Sequence, residues 1–123
     1  MRKVHSDNAP KAIGPYSQAI LVGNMLYTSG QIPLNLEGNV EGSNITEQTE
    51  QVMKNLKAVL EEAGTNFENT VKTTCFLSDM SNFAGFNEVY SKYFTSNPAR
   101  SCIAVKELPK QVLVEVEIIA VVK

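Results

Sequence analysis

Apolar residues recur along this chain with two different periods, and the changes of period mark its elements. Val52, Met53, Leu56, Val59, Leu60 and Ala63 stand three and four apart, the spacing of one face of a helix, and predict a helix over residues 45–63. Asn44, three residues before Glu47, resembles a capping arrangement, and Gly64 is a natural stop. A second helix is expected from a cap at Asp79 or Ser81 to about Phe94, with Phe83, Phe86, Tyr90, Tyr93 and Phe94 turned inward. Shorter β-branched and aliphatic runs predict strands near residues 3–5, 17–22, 25–32, 71–77, 101–105 and 112–122. Gly23-Asn24 supplies a two-residue hairpin turn between the second and third strands. Residues 34–43 read as a loop, and Leu108-Pro109-Lys110 as the turn that closes the last two strands into an antiparallel pair. The order β-β-β-α-β-α-β-β predicts one α+β domain over residues 1–123. Its mixed six-stranded sheet carries both helices on one face.

The last strand adds a quaternary expectation. Val112, Val114, Val116, Ile118 and Ala120 alternate with Leu113, Glu115, Glu117, Ile119 and Val121, so the strand is apolar on both sides apart from its glutamates. Strands of that kind are buried on both faces. Two helices cover only one, so a second copy of the chain is expected against the other.

Composition narrows the function classes. With 11 basic and 13 acidic residues the net charge is −2, and no basic stripe offers an electrostatic footprint for nucleic acid. No apolar run approaches the length of a membrane helix. The N-terminus lacks a secretory apolar segment, which makes the cytoplasm the expected compartment. Cys75 and Cys102 lie in strand-like runs without CxxC spacing and read as reduced thiols. The single histidine, His5, reads as a terminal surface residue. There is no His/Cys cluster for zinc and no glycine-rich phosphate loop, so neither a metal nor a cofactor is expected.

Arg100 is one of two arginines in a chain that otherwise uses lysine. A guanidinium is a planar fork that matches a carboxylate bidentately, which an ammonium is not. Arg100 therefore reads either as a surface residue at a strand start or as the anchor of a small anion. In extended geometry it shares a face with Cys102 and Ala104. Glu115 and Glu117 share a face of the last strand, either as a solvated strip or as carboxylates for acid–base work. Tyr16 follows a Gly-Pro turn, where it projects over a cleft or packs into the core. Gly30, beside Ser29, marks a bulge or a close backbone approach to a ligand. Asn87 shares the helical stripe of Phe83 and Tyr90, and a buried amide there either ties down a loop or touches substrate. Cys102 has no base beside it and reads as a buried thiol rather than a nucleophile.

Five segments stand in the order and spacing of one family. Gly14-Pro15-Tyr16-Ser17-Gln18-Ala19, Thr28-Ser29-Gly30-Gln31-Ile32-Pro33, Asn87-Glu88-Val89-Tyr90, Pro98-Ala99-Arg100-Ser101 and Val114-Glu115-Val116-Glu117 resemble the reactive-intermediate deaminases (Rid, formerly YjgF-like) over essentially the whole chain. The resemblance implies a chorismate-mutase-like fold and a homotrimer with active sites in the clefts between subunits. It also implies hydrolysis of 2-imino acids, such as 2-iminobutanoate and 2-iminopropanoate, to 2-oxo acids and ammonia. By position, Arg100 would hold the substrate carboxylate. Ser29 and the Gly30 backbone would line the pocket, with Tyr16 and Asn87 nearby. The backbone at Cys102 and the Glu115 carboxylate would position the attacking water, and Glu117 would be structural. The chain departs from the family in one place: Asn97 precedes Pro-Ala-Arg where an aromatic residue is common, and the approach from the second helix is short.

The chemistry asks little of the protein, because an imine conjugated to a carboxylate is already electrophilic. Acid–base assistance is worth about 10²–10⁴-fold, and orientation adds to it. Two other functions are compatible with the same residues. One is a trimer that binds 2-oxo acids or other small carboxylates without turning them over. The other is a ribonuclease or translation inhibitor, against which the acidic charge balance argues.

Overall fold

The computed structural model describes residues 1–123. The strands are β1 (Arg2–Val4), β2 (Ala19–Val22), β3 (Met25–Thr28), β4 (Thr70–Leu77), β5 (Ala99–Ala104) and β6 (Val114–Val121), and the helices are α1 (Ile45–Ala63) and α2 (Phe83–Tyr93). The expected element order and the six-stranded mixed sheet are both present. The sheet runs β1-β2-β3-β6-β4-β5, with every neighbour antiparallel except the parallel pair β4–β5.

α1 has the predicted ends, and for the predicted reasons. The Asn44 side chain accepts the Glu47 N–H at 2.9 Å, while the Glu47 carboxylate reaches back to the Ser43 N–H at 2.9 Å. Gly64 takes φ 87° and, with Thr65, closes the C-terminus on the carbonyls of Glu61 and Leu60. A left-handed residue there costs glycine almost nothing. The whole stripe from Val52 to Ala63 is buried. α2 begins slightly later than expected, after a 3₁₀ turn at Met80–Asn82 that Asp79 caps through the Ser81 N–H. Phe86 and Tyr90 are buried within α2, as is Phe94 just beyond it, while Phe83 and Tyr93 pack half-buried at the edge of the core.

Both helices lie on one face of the sheet. Thr73, Cys75 and Leu77 of β4 oppose Ile118, Val116 and Val114 of β6, and all six are at most 1% exposed. Their alternates, Thr74 and Phe76 opposite Glu117 and Glu115, form the other face and are only half-buried. On that bare face Tyr27, 46% exposed, pairs with Ile119, and Ile103 is 48% exposed. The two-sided character read from β6 therefore corresponds to a central strand with one face covered and an apolar remainder on the other.

The predicted antiparallel pair of the last two strands does not exist. β5 follows β4 through α2, a β-α-β unit, and lies parallel to β4 at the edge of the sheet. The chain then crosses the end of β4: the Val105 N–H bonds the Leu77 carbonyl and the Ser78 N–H bonds the Leu113 carbonyl. It enters the sheet as β6 on the far side of β4, between β4 and β3. Alternation along a strand reports which faces are covered, not which strands flank it, so the pattern could not choose between these arrangements.

The third strand also stops earlier than expected, at Thr28. From Tyr27↔Ile119 to Gln31↔Val116 the β3 side carries one residue more than β6, a bulge. The Thr28 hydroxyl accepts the Ile118 N–H at 2.9 Å inside it, and Gly30 is half-buried within it. α1 holds the loop that follows: Asn55 donates to the carbonyls of Ile32 and Leu34, and Gln51 donates to that of Leu34. No helix is long and apolar enough to cross a membrane.

Candidate active site

Two groups of the predicted residues are assembled, on opposite faces of the sheet. The first surrounds a cavity of about 460 Å³ whose lining includes Tyr16, Ser29, Gly30 and Glu115. The bulge after β3 brings Gly30 against the β6 side chain so closely that a Cβ at residue 30 would collide with the Glu115 carboxyl group. Of the two readings of this glycine the bulge is present, and what its backbone approaches is the chain's own Glu115 carboxylate. Ser29 donates its hydroxyl to the Ser17 carbonyl at 2.6 Å, leaving its oxygen free to accept. Tyr16 is 54% exposed at the mouth.

Glu115 is half-buried, and burial is the main reason its carboxyl is held above the usual carboxylate range; the like charge of Glu117, two residues along the same face, adds to it. Neither glutamate has a salt-bridge partner, since the ion pair of this chain is His5–Asp7 at the surface. A carboxyl lifted in this way and lining a cavity is better suited to taking up and returning a proton than one at its ordinary value.

The second group lies on the helix face at the β5 edge. Arg100 opposes Thr73 and Cys102 opposes Cys75 in the parallel ladder, so the shared face expected for Arg100 and Cys102 is observed. The Arg100 guanidinium lies 4.7 Å from the Tyr90 ring centroid and 5.5 Å from that of Phe83, and it donates from Nη1 to the Asn87 Oδ1 at 2.7 Å. Tyr90 is itself fixed by a 2.8 Å hydrogen bond to the Thr73 hydroxyl. Asn87 is thus not a core amide, as its stripe suggested, but a half-buried partner of the arginine. One N–H edge is tied to asparagine and the cation rests on aromatic faces, which fixes the plane of the fork while the residue stays exposed.

Both cysteines are free. Burial pushes the Cys75 thiol up to about 12. Burial also raises the Cys102 thiol, against the opposing pull of the Arg100 charge. Neither is a thiolate near neutral pH, which fits the reading of Cys102 as a thiol rather than a nucleophile. No three His, Cys, Asp or Glu side chains converge to hold a metal ion.

Sequence reading missed several parts of this arrangement. Tyr90 and Phe83 were read as core and also form the bed of Arg100. Gln18, 2% exposed, accepts the Ser6 N–H and donates to the Ser6 and Pro10 carbonyls, so it ties down the segment that brings Pro10 to the cavity. Lys11 and Pro109 join that lining from segments without periodicity. A glutamine just before an apolar strand is a weak signal for such a clamp. Asn97 takes φ 55°, a left-handed turn that asparagine tolerates well, so the departure from the family pattern also serves to steer the chain from α2 into β5.

Fold and site define a small α+β domain with an acid in a sheet-side cavity and a bedded arginine at the sheet edge. Residues 6–122 match the family model described as Endoribonuclease L-PSP, and the chain belongs to that family, known also by the names Rid, YjgF and RutC. A RutC family protein of Pyrococcus abyssi is 51% identical over 119 residues, 95% of this chain and 94% of its own length. Among solved structures, YyfA of Yersinia pestis, described as belonging to the conserved Rid protein family, superposes with a TM-score of 0.95 at 48% identity and 98% coverage of both chains. Escherichia coli TdcF, solved with bound serine, gives a TM-score of 0.93 at 38% identity, again over 98% of each chain.

Proposed function

We propose that this protein is a hydrolytic deaminase of 2-imino acids, 2-iminobutanoate and 2-iminopropanoate among them, working as a homotrimer. The observation that carries this reading is the seat of Glu115: a carboxyl with a raised pKa, free of salt bridges, held against the Gly30 backbone at a cavity. Arg100 cannot serve that cavity from within the same chain, because it lies on the other face of the sheet. It stands on an edge strand, however, and a second copy that presents its β5 edge to the cavity would unite the two. The apolar bare face around Tyr27, Ile103 and Ile119 supports such an assembly.

In the united site Arg100 holds the substrate carboxylate with the donors that Asn87 leaves free. Tyr16, Ser29 and the Gly30 backbone line the pocket. The Cys102 backbone and Glu115 position a water. Glu115 accepts a proton as the water oxygen bonds the imine carbon. The resulting carbinolamine takes that proton onto its nitrogen and breaks its C–N bond as its hydroxyl gives up its own proton to Glu115, so ammonia leaves and the 2-oxo acid remains. Glu117 is structural and keeps the Glu115 pKa high. TdcF with its bound serine offers a parallel, because serine carries the same α-carboxylate next to a nitrogen-bearing carbon. The family description names an endoribonuclease, but two glutamates facing the bare sheet and a net charge of −2 repel a polyanion.

The test couples threonine dehydratase to this protein and follows 2-oxobutanoate release while semicarbazide competes for the imine. Acceleration by the wild type and its loss in Arg100→Ala are expected. No acceleration, or acceleration that Arg100→Ala leaves intact, overturns the proposal.

A further inference from the structure

The two thiols of this chain take no part in the reaction proposed above, and they are neighbours. Cys75 of β4 and Cys102 of β5 are direct partners in the parallel ladder, so their side chains leave the sheet side by side on one face. Both are free, Cys75 fully buried and Cys102 half-buried, and Cys102 packs against the core cluster that contains Cys75.

Their setting is apolar apart from one hydroxyl and one cation. On the far side of Cys75 stands Val116 of β6, and Leu77 lies two residues along the same face; both are 0% exposed. The Cys75 S–H donates to the Thr73 hydroxyl at 3.8 Å, and that hydroxyl also bonds Tyr90. Arg100 precedes Cys102 by two residues on the same face. Burial raises both thiols, and the arginine's charge acts on both in the opposite sense.

Two kinds of bond can join such a pair, and the spacing separates them. A disulfide needs Cβ atoms about 3.8 Å apart, whereas neighbouring strands stand about 4.8 Å apart. A thiolate–metal bond is about 2.3 Å long, so a linear S–metal–S bridge spans about 4.6 Å and matches the strands as they lie. The number of donors then selects the ion. Zinc takes at least three protein ligands, and no third His, Cys, Asp or Glu side chain converges here. Thiolates are soft ligands that select Cu(I), a monovalent ion satisfied by two of them. The resulting complex carries a single negative charge, which the Arg100 guanidinium offsets.

We infer that Cys75 and Cys102 form a two-thiolate site for one Cu(I) ion per chain, on the helix face of the sheet beside Arg100. Binding breaks two S–H bonds and forms two S–Cu bonds. Both protons go to solvent, and nothing is oxidised or reduced. The site stands whether or not the protein is a deaminase.

The test titrates the whole protein anaerobically with Cu(I) in competition with the chelator bicinchoninate, beside the variants Cys75→Val and Cys102→Ala. Expected are one Cu(I) taken from the chelator per chain and two protons released with it. Affinity should fall by at least about 100-fold in each variant, beyond the 10–100-fold typical of losing a group outside the ligand shell. Cys75→Val keeps an apolar side chain of similar size in the core, and melting temperatures verify both variants. Cys102→Ala, on the edge strand, carries the test alone should Cys75→Val not fold. No copper drawn from the chelator, or uptake that survives either substitution in a folded chain, overturns the inference. Zn(II) bound as tightly as Cu(I) overturns it too, because that requires ligands beyond the two thiolates.

Discussion

Gly30 and Glu115 occupy each other's space: the glycine has no room for a Cβ because the glutamate carboxyl fills it. The atoms a new methyl would strike are the far end of a flexible side chain, so the backbone need not move. Gly30→Ala is therefore expected to fold, with a stability change within about 1 kcal/mol, and to displace the carboxyl from the cavity. Imine hydrolysis should fall by about 100-fold, in line with loss of positioned acid–base help. Semicarbazide competition and a urea titration on the same variant separate the two effects.

The arginine's bed predicts that charge alone will not replace it. Arg100→Lys keeps the cation and loses both the fork and the stacking on Tyr90 and Phe83. It should raise KM by about tenfold or more, while Asn87→Ala, which frees the Nη1 edge, should have a smaller effect of the same kind, about 1 kcal/mol for one hydrogen bond. Steady-state kinetics at fixed pH decides this, and equal kinetics for Arg100→Lys and wild type would contradict the bidentate role.

Burial first and Glu117 second lift the Glu115 carboxyl above its ordinary 4.5, which sets the direction of two pH effects. As the base, Glu115 works only when ionised, so activity should rise with pH through a midpoint above 4.5. Glu117→Gln should move that midpoint down. For stability the sign is reversed. A carboxyl whose folded pKa is raised binds more protons in the folded chain, so stability is lost as pH rises through the folded value. Glu115→Gln should therefore stabilise the protein at pH 7 and not at pH 4, in denaturant titrations at the two pH values.

The bare sheet face predicts an assembly that a single charge can break. Ile119 is half-buried and pairs across the strands with Tyr27. Ile119→Lys places an ammonium in the middle of that face, and light scattering should show a trimer mass for the wild type and a monomer mass for the variant. A wild-type monomer would remove the basis for a shared site.

Because the acid and the arginine lie on opposite faces of one sheet, inactive variants should rescue each other. Chains carrying Arg100→Ala mixed and reassembled with chains carrying Glu115→Gln should recover about a quarter of wild-type activity, the share of sites that draw both intact groups from different copies in a cyclic assembly. A site contained in one chain would recover none.

Local structure was highly legible in the chain. The stripe from Val52 to Ala63, with Asn44 and Gly64 at its ends, specifies α1 completely, since caps and periodicity are set by neighbours in sequence. The alternation in β6 announced two apolar faces. What escaped was pairing. Nothing local says that residues 105–113 pass over the end of β4 rather than folding back as a hairpin. The site was legible in the same uneven way. Arg100, Glu115 and Gly30 stand out by scarcity, pairing and position. Gln18 and Tyr90 do not, because their work depends on what lies across space: a loop wall for one, a guanidinium for the other.

The two faces of the sheet have a bearing on when such a protein can act. A single chain, however well folded, carries an acid and an anchor that never see the same molecule. On the reading proposed above, a newly made subunit is chemically silent, and it gains its chemistry only by meeting its own kind. Turnover per chain would then climb with the amount of protein present until assembly is complete, so that the cell's dose of this protein sets not only how much work is done but whether it begins.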